Sequence, residues 1–127
     1  MHPTTELLKK IETLCRKDKR YKSEAYLFLL GALHFTTTQL KEPRHVSGKE
    51  LLDGIRLYGL EQFGPLAVQV FEHWGVTTTE DFGHLVFNLV SAKLLGKTEE
   101  DTLEDFKEIY DFDSAFDSKD LFKLADE

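Results

Sequence analysis

Five histidines, one cation-rich run and an acidic stretch hung with aromatic rings are the features of this chain whose residue types could do chemistry. A helical zinc site needs histidines at i, i+4 spacing, or cysteine partners. His34 and His45 flank a loop, His73 and His84 stand 11 positions apart, and Cys15 is the only thiol. The spacing therefore predicts no metal site and no cofactor. A polar set of Arg44, His45, Glu50, Arg56, His73 and Asp81 has the composition of an acid–base centre. Within it, His45, His73 and Asp81 would serve a small-molecule or metal-dependent enzyme if the fold gathered them. Each member falls at an expected helix end or on a polar face, where capping and inter-helix hydrogen bonding are the commoner use.

Two short matches carry no mechanism. Asp81-Phe82-Gly83 has the letters of a kinase magnesium motif, but the glycine-rich loop, strand lysine and catalytic loop are absent. Asp111-Phe112-Asp113-Ser114 begins like a calcium loop, yet Phe116 stands where its glycine belongs and Phe122 where its glutamate belongs. There is no P-loop, no dinucleotide fingerprint and no nucleophile elbow.

The elements that must position these residues follow from periodicity. Leu7, Leu8, Ile11, Leu14 and Cys15 predict an amphipathic helix over 5–17, with Cys15 as core filler. Residues 23–37 predict a central helix that is apolar on nearly all sides, with Gly31 allowing a close helix approach. Ser47 and Glu50 form a capping box with Val46 and Leu51 as its staple, so a third helix starts there. Pro65 opens a fourth helix, which Gly75 caps in the left-handed region. A threonine cap with Glu80 and Asp81 opens a fifth, striped by Phe82, Leu85, Val86, Leu89, Val90 and Leu94 and ended by Gly96. Beyond it, Leu103, Phe106, Ile109, Tyr110, Phe112 and Phe116 fit a short helix plus an extended segment. The alternation Phe106, Glu108, Tyr110, Phe112 fits a strand equally well.

The expected fold is all-α: a single domain of five helices with a helix-turn-helix-like C-terminal half and an acidic C-terminal appendage. Residues 1–97 make the helical part, and 98–127 an acidic aromatic segment packed on the same domain. Length agrees, since 127 residues, 41% apolar, support one core without staples. The lone cysteine and the polar N-terminus, which lacks an apolar signal core, point to a cytoplasmic protein without a membrane span.

The net charge of −7 is unevenly spread: +4 over residues 1–56, −2 over 57–97 and −9 over 98–127. Arg16, Lys17, Lys19, Arg20 and Lys22 put five cations into seven residues, the one run suited to phosphate contacts. The second helix of the helix-turn-helix opens instead with Glu80 and Asp81, which a DNA groove would repel. Nucleic-acid binding through residues 16–22 therefore ranks last.

At Arg44-His45-Val46-Ser47-Gly48-Lys49-Glu50-Leu51-Leu52, Gln62-Phe63-Gly64-Pro65, Val70-Phe71-Glu72-His73-Trp74-Gly75-Val76 and Thr79-Glu80-Asp81-Phe82-Gly83, the chain resembles a family of small bacterial proteins of unknown function, frequent in planctomycetes and verrucomicrobia. The resemblance spans roughly residues 21–116. It implies a bacterial setting and supplies no activity, cofactor or catalytic residue.

Physically, Phe63, Phe71, Trp74 and Phe82 would surround the turn and line an aromatic groove edged by Arg44, His45, His73 and Asp81. Phe106, Tyr110, Phe112 and Phe116, set among carboxylates, would form a segment that docks onto a partner. The leading functional expectation is a non-enzymatic protein-interaction or adaptor module with an unidentified protein partner, homodimerisation being an open possibility. The His45/His73/Asp81 enzyme is the alternative.

Overall fold

Local signals set most of the helix ends. The computed structural model describes residues 3–42, 44–96 and 103–116. Its helices are α1 (Pro3–Lys17), α2 (Ser23–Thr38), α3 (Gly48–Phe63), α4 (Ala67–His73), α5 (Thr79–Ser91) and the single turn α6 (Phe112–Ala115). Short 3-10 turns at Gly64–Leu66 and Leu103–Phe106 join them, and no strand forms among the described residues. The all-α expectation holds, with five main helices around one core. The strand option for the aromatic segment falls: its rings are presented by one 3-10 turn and one α turn.

The predicted caps form as chemistry requires. Ser47 Oγ accepts from the Glu50 N–H at 3.2 Å, and the Ser47 N–H donates back to the Glu50 carboxylate at 3.1 Å. Val46 and Leu51 are both buried beside it, as a hydrophobic staple demands. A second reciprocal box opens α5, between Thr78 and Asp81. Such caps are worth about 1 kcal/mol each, because they satisfy backbone N–H groups that the helix cannot. Pro65 sits in the 3-10 turn that leads into α4.

The end of α5 departs from expectation. The helix stops at Ser91, and Lys93 takes the left-handed conformation at φ 62° while the Leu94 N–H reaches the Leu89 carbonyl. Gly96 is not the cap. Tertiary docking of the following apolar pair, Leu94 and Leu95, against the core offsets the strain of a non-glycine residue in that region.

Gly75 ends α4 at φ 90°, with the Val76 N–H bonded to the Phe71 carbonyl at 2.8 Å. A β-carbon there would also collide with the Arg20 backbone carbonyl. This close approach lets the Lys22 N–H reach the Trp74 carbonyl at 3.1 Å, tying the basic loop to the end of α4. On the opposite face, α2 packs on α3, where Gly31 admits the Tyr58 ring and Gly54 admits Thr36. α4, the connection 74–78 and α5 follow one another in helix-turn-helix order. The part of the acidic segment at 103–116 lies against α3 and α5, whereas 98–102 and 117–127 lie outside the described residues. No described helix is long and apolar enough to cross a membrane.

Gly75→Ala is expected to lower unfolding stability by about 2 kcal/mol or more, from the disfavoured backbone region plus the collision. Gly96→Ala, with open space around it, should stay within about 0.5 kcal/mol of the parent chain. Urea unfolding of the two variants checks this, and equal midpoints would contradict it.

Candidate functional site

The aromatic residues near the turn do not line a groove. Phe71 and Phe82 are fully buried, Trp74 is buried and Phe63 is half-buried. The Phe71 ring meets those of Phe28, Phe63, Trp74, Phe82, Phe112 and Phe116, with centroids 5.1 to 6.2 Å away. The groove expectation fails because the chain supplies its own cover: Phe112 and Phe116 close over Phe71, Phe112 over Phe82, and Phe28 of α2 packs on Phe63 and Trp74.

The same packing corrects the docking segment. Phe106, Phe112 and Phe116 are buried, and the half-buried Tyr110 hydroxyl donates to the Leu52 carbonyl at 2.8 Å. Burial pushes the Tyr110 phenol up, with Asp53 adding to it. The buried Thr79 hydroxyl donates to the Phe106 carbonyl and accepts from the Ile109 N–H at 3.2 Å. A hydroxyl on the first turn of α5 thus holds the segment down. Phe112 and Phe116 are thus spent inside the core instead of being offered to a partner.

Members of the polar set serve caps and local pairs. Asp81 accepts from the Tyr21 hydroxyl at 2.6 Å and from the N–H groups of Thr77 and Thr78 at 2.9 and 3.1 Å. Burial alone would raise its pKa, but these donors outweigh it and hold the carboxyl below its ordinary value. Tyr21 is pushed up by burial and by the same carboxylate. His73 is exposed, with its Nε2 3.2 Å from Lys22 Nζ. Arg44 is exposed and forms a bidentate pair with Glu50 at 2.9 and 2.6 Å. That pair, with the Ser47 N–H, lowers Glu50 to about 2. Asp81 is engaged by Tyr21, Thr77 and Thr78 and His73 by Lys22, partners that serve a helix cap and a loop. No three His, Cys, Asp or Glu side chains gather to hold a metal ion among the described residues.

Of the basic run, Arg20 is engaged with Asp18 in a two-point pair at 2.8 and 2.7 Å and lies over the Tyr21 ring. Asp18 also accepts from Asn88 at 3.0 Å, which in turn reaches the Tyr26 hydroxyl at 3.0 Å. The Arg20 side chain holds the Asp18 carboxyl far below its usual range. The loop is thereby pinned to α5 and α2 by part of the charge that would have met phosphates.

One cavity has the character of a binding site. It encloses about 360 Å³ between α2, the start of α3 and α5, a size at the small end of ligand sites. Its walls are Leu33, Val46, Leu51, Val86, Phe87, Val90, Leu95 and Phe106. Arg44, His45 and Thr37 are its exposed rim, and among the described residues no carboxylate lines it. Only Arg44 and His45 of the expected site residues belong to its rim; Phe106, expected to reach outward, forms part of its wall. Sequence reasoning missed Leu33, Phe87 and Leu95 as lining. Their signal was an apolar surplus: α2 is hydrophobic almost all round, and α5 carries Phe87 beside its main stripe. A single core-facing stripe does not need either.

Compared with family models, with characterised proteins and with solved structures, the chain matches none. The chemistry of the site rests on its own residues.

Asp81 contributes stability that is present above the ordinary carboxylate range and is lost as pH falls through its depressed folded value. Asp81→Asn is expected to cost about 1–3 kcal/mol at pH 7 through the lost cap and Tyr21 bond. The difference should shrink progressively below about pH 4, the unperturbed carboxylate value. Urea melts at pH 7 and pH 3 test the sign, and a pH-independent difference contradicts it. Phe112→Ala is expected to cost about 3–5 kcal/mol, seen as a large fall in the circular-dichroism melting temperature. An unchanged melt would return Phe112 to a surface role.

Proposed function

We propose that the protein is a non-enzymatic protein-interaction module, and that it receives its partner in the cavity between α2, α3 and α5. The observation that carries this reading is an apolar cavity of about 360 Å³ whose rim, among the described residues, offers Arg44 and His45. Such a site takes an apolar side-chain cluster with an acidic group beside it: burial of the apolar part supplies affinity at about 25 cal/mol per Å². The charged rim supplies orientation and discrimination more than strength. The role first expected for the turn aromatics passes to the cavity, because Phe71 and Phe82 are enclosed.

A probe of the same chemistry is anilinonaphthalene sulfonate, which joins fused and single apolar rings to one anion. The wild-type chain is expected to bind it with a fluorescence increase. Val90→Trp, filling the cavity from α5, should weaken binding about tenfold while the far-ultraviolet spectrum keeps its helical form. Val86→Phe serves as a second filler if the first overpacks. Binding that neither filler changes, in folded variants, contradicts the reading.

A further inference from the structure

Thr79, the first residue of α5, is polar and buried. Its hydroxyl donates to the Phe106 carbonyl and accepts from the Ile109 N–H at 3.2 Å, so one side chain clasps both ends of the turn 106–109. Inside that clasp Glu108 stands at φ 49°, in the left-handed region that a residue with a β-carbon occupies at a cost. A strained turn held shut by one hydroxyl has the form of a latch. We infer that residues 103–116 are a strap that opens as a unit while α1–α5 stay folded, that Thr79 is its latch, and that opening uncovers one side of the Phe71 and Phe82 rings.

The strap is attached differently from the helices. Its backbone is one 3-10 turn and one α turn, each bonded within itself: the Lys107 N–H to the Glu104 carbonyl, Ala115 to Asp111 and Phe116 to Phe112. Side chains join it to the bundle: the Thr79 hydroxyl, the Tyr110 hydroxyl on the Leu52 carbonyl, and the rings of Phe106, Phe112 and Phe116. A segment built from single turns belongs at the low end of local stability. The helices keep a core of their own. Ile11, Tyr26, Leu29, Ile55, Leu85 and Leu89, all fully buried, come from α1, α2, α3 and α5, so opening removes one side of the core and leaves the rest.

Shape and charge agree. Between Thr77–Glu80 and Glu108–Phe112 the strap stands off from the start of α5 over a cleft of about 370 Å³. Glu80 lines that cleft from α5, and Glu108 and Asp111 line it from the strap, so like charges meet across the gap and oppose closure. Opening lifts Phe112 and Phe116 from Phe71, where the ring centroids are 5.9 and 5.1 Å apart, and Phe112 from Phe82 at 5.7 Å. It also withdraws Phe106 from the cavity wall. The aromatic surface that the residue types predict at the turn is thus present, covered by the chain itself and reached by opening. These attachments carry the inference whether or not the cavity receives a partner.

Native-state hydrogen exchange of the full chain, followed amide by amide in low urea, tests this. The Ile109 and Phe116 amides are expected to exchange at least about a hundredfold faster than those of Leu29 and Ile55, with a weaker dependence on urea, the mark of a small opening. Thr79→Val, which keeps the side-chain shape and removes the hydroxyl, should speed exchange at Ile109 and Phe116 together by about tenfold. Glu108→Gly, which relieves the left-handed strain, should slow both by about fivefold, and it keeps the test decisive where Thr79→Val fails to fold. Equal protection of strap and core amides, with one urea dependence, overturns the separate opening. Ile109 and Phe116 rates that respond to neither substitution overturn the latch and the inference with it.

Discussion

The structure depends on one ring. Phe71 sits at the convergence of α2, α3, α4, α5 and α6, fully buried and in edge or tilted contact with six other aromatic rings. Aromatic pairs add about 0.5–1.5 kcal/mol beyond the area they bury, and their preference for tilted geometry restricts how the surrounding helices can cross. A seven-residue helix such as α4 would be marginal alone. It persists because Phe71 and Trp74 dock it, while Gly75 lets the chain turn back against the Arg20 carbonyl.

From that cluster the rest of the architecture follows. Phe112 and Phe116 complete the shell around Phe71, so the acidic stretch around them must run across α3 and α5. Thr79, through two hydrogen bonds, and Tyr110, through one, hold it there. Phe106 then lands against Gly48 and Gly83, where a β-carbon at either position would crowd its ring. The cavity is what remains between Phe106, the outer apolar side of α5 and the side of α2 that α3 does not cover. Its existence is a consequence of ring packing several residues away, and its rim is set by the capping box that starts α3.

Much of the local structure was legible because its causes are local. The Ser47–Glu50 box lies within four residues, and the left-handed Gly75 within one. The stripe on α5 follows from a 3.6-residue period alone. The end of α5 was not legible, since Lys93 accepts a strained conformation that only the docking of Leu94 and Leu95 justifies. The site was legible at its rim and not in its walls. Arg44 and His45 stood out by type, whereas Leu33, Phe87 and Leu95 are ordinary apolar residues whose role depends on what fails to cover them.

The sequence by itself determined helix identity, the main caps, the uneven charge and the presence of an aromatic cluster near the α4–α5 turn, because each depends on residue type and short spacing. Only the tertiary structure decided which way that cluster faces, since whether the Phe71 ring is groove or core depends on residues 41 and 45 positions further along the chain. Burial is a property of the whole packing, and sequence spacing reports it only where both partners lie on the same element.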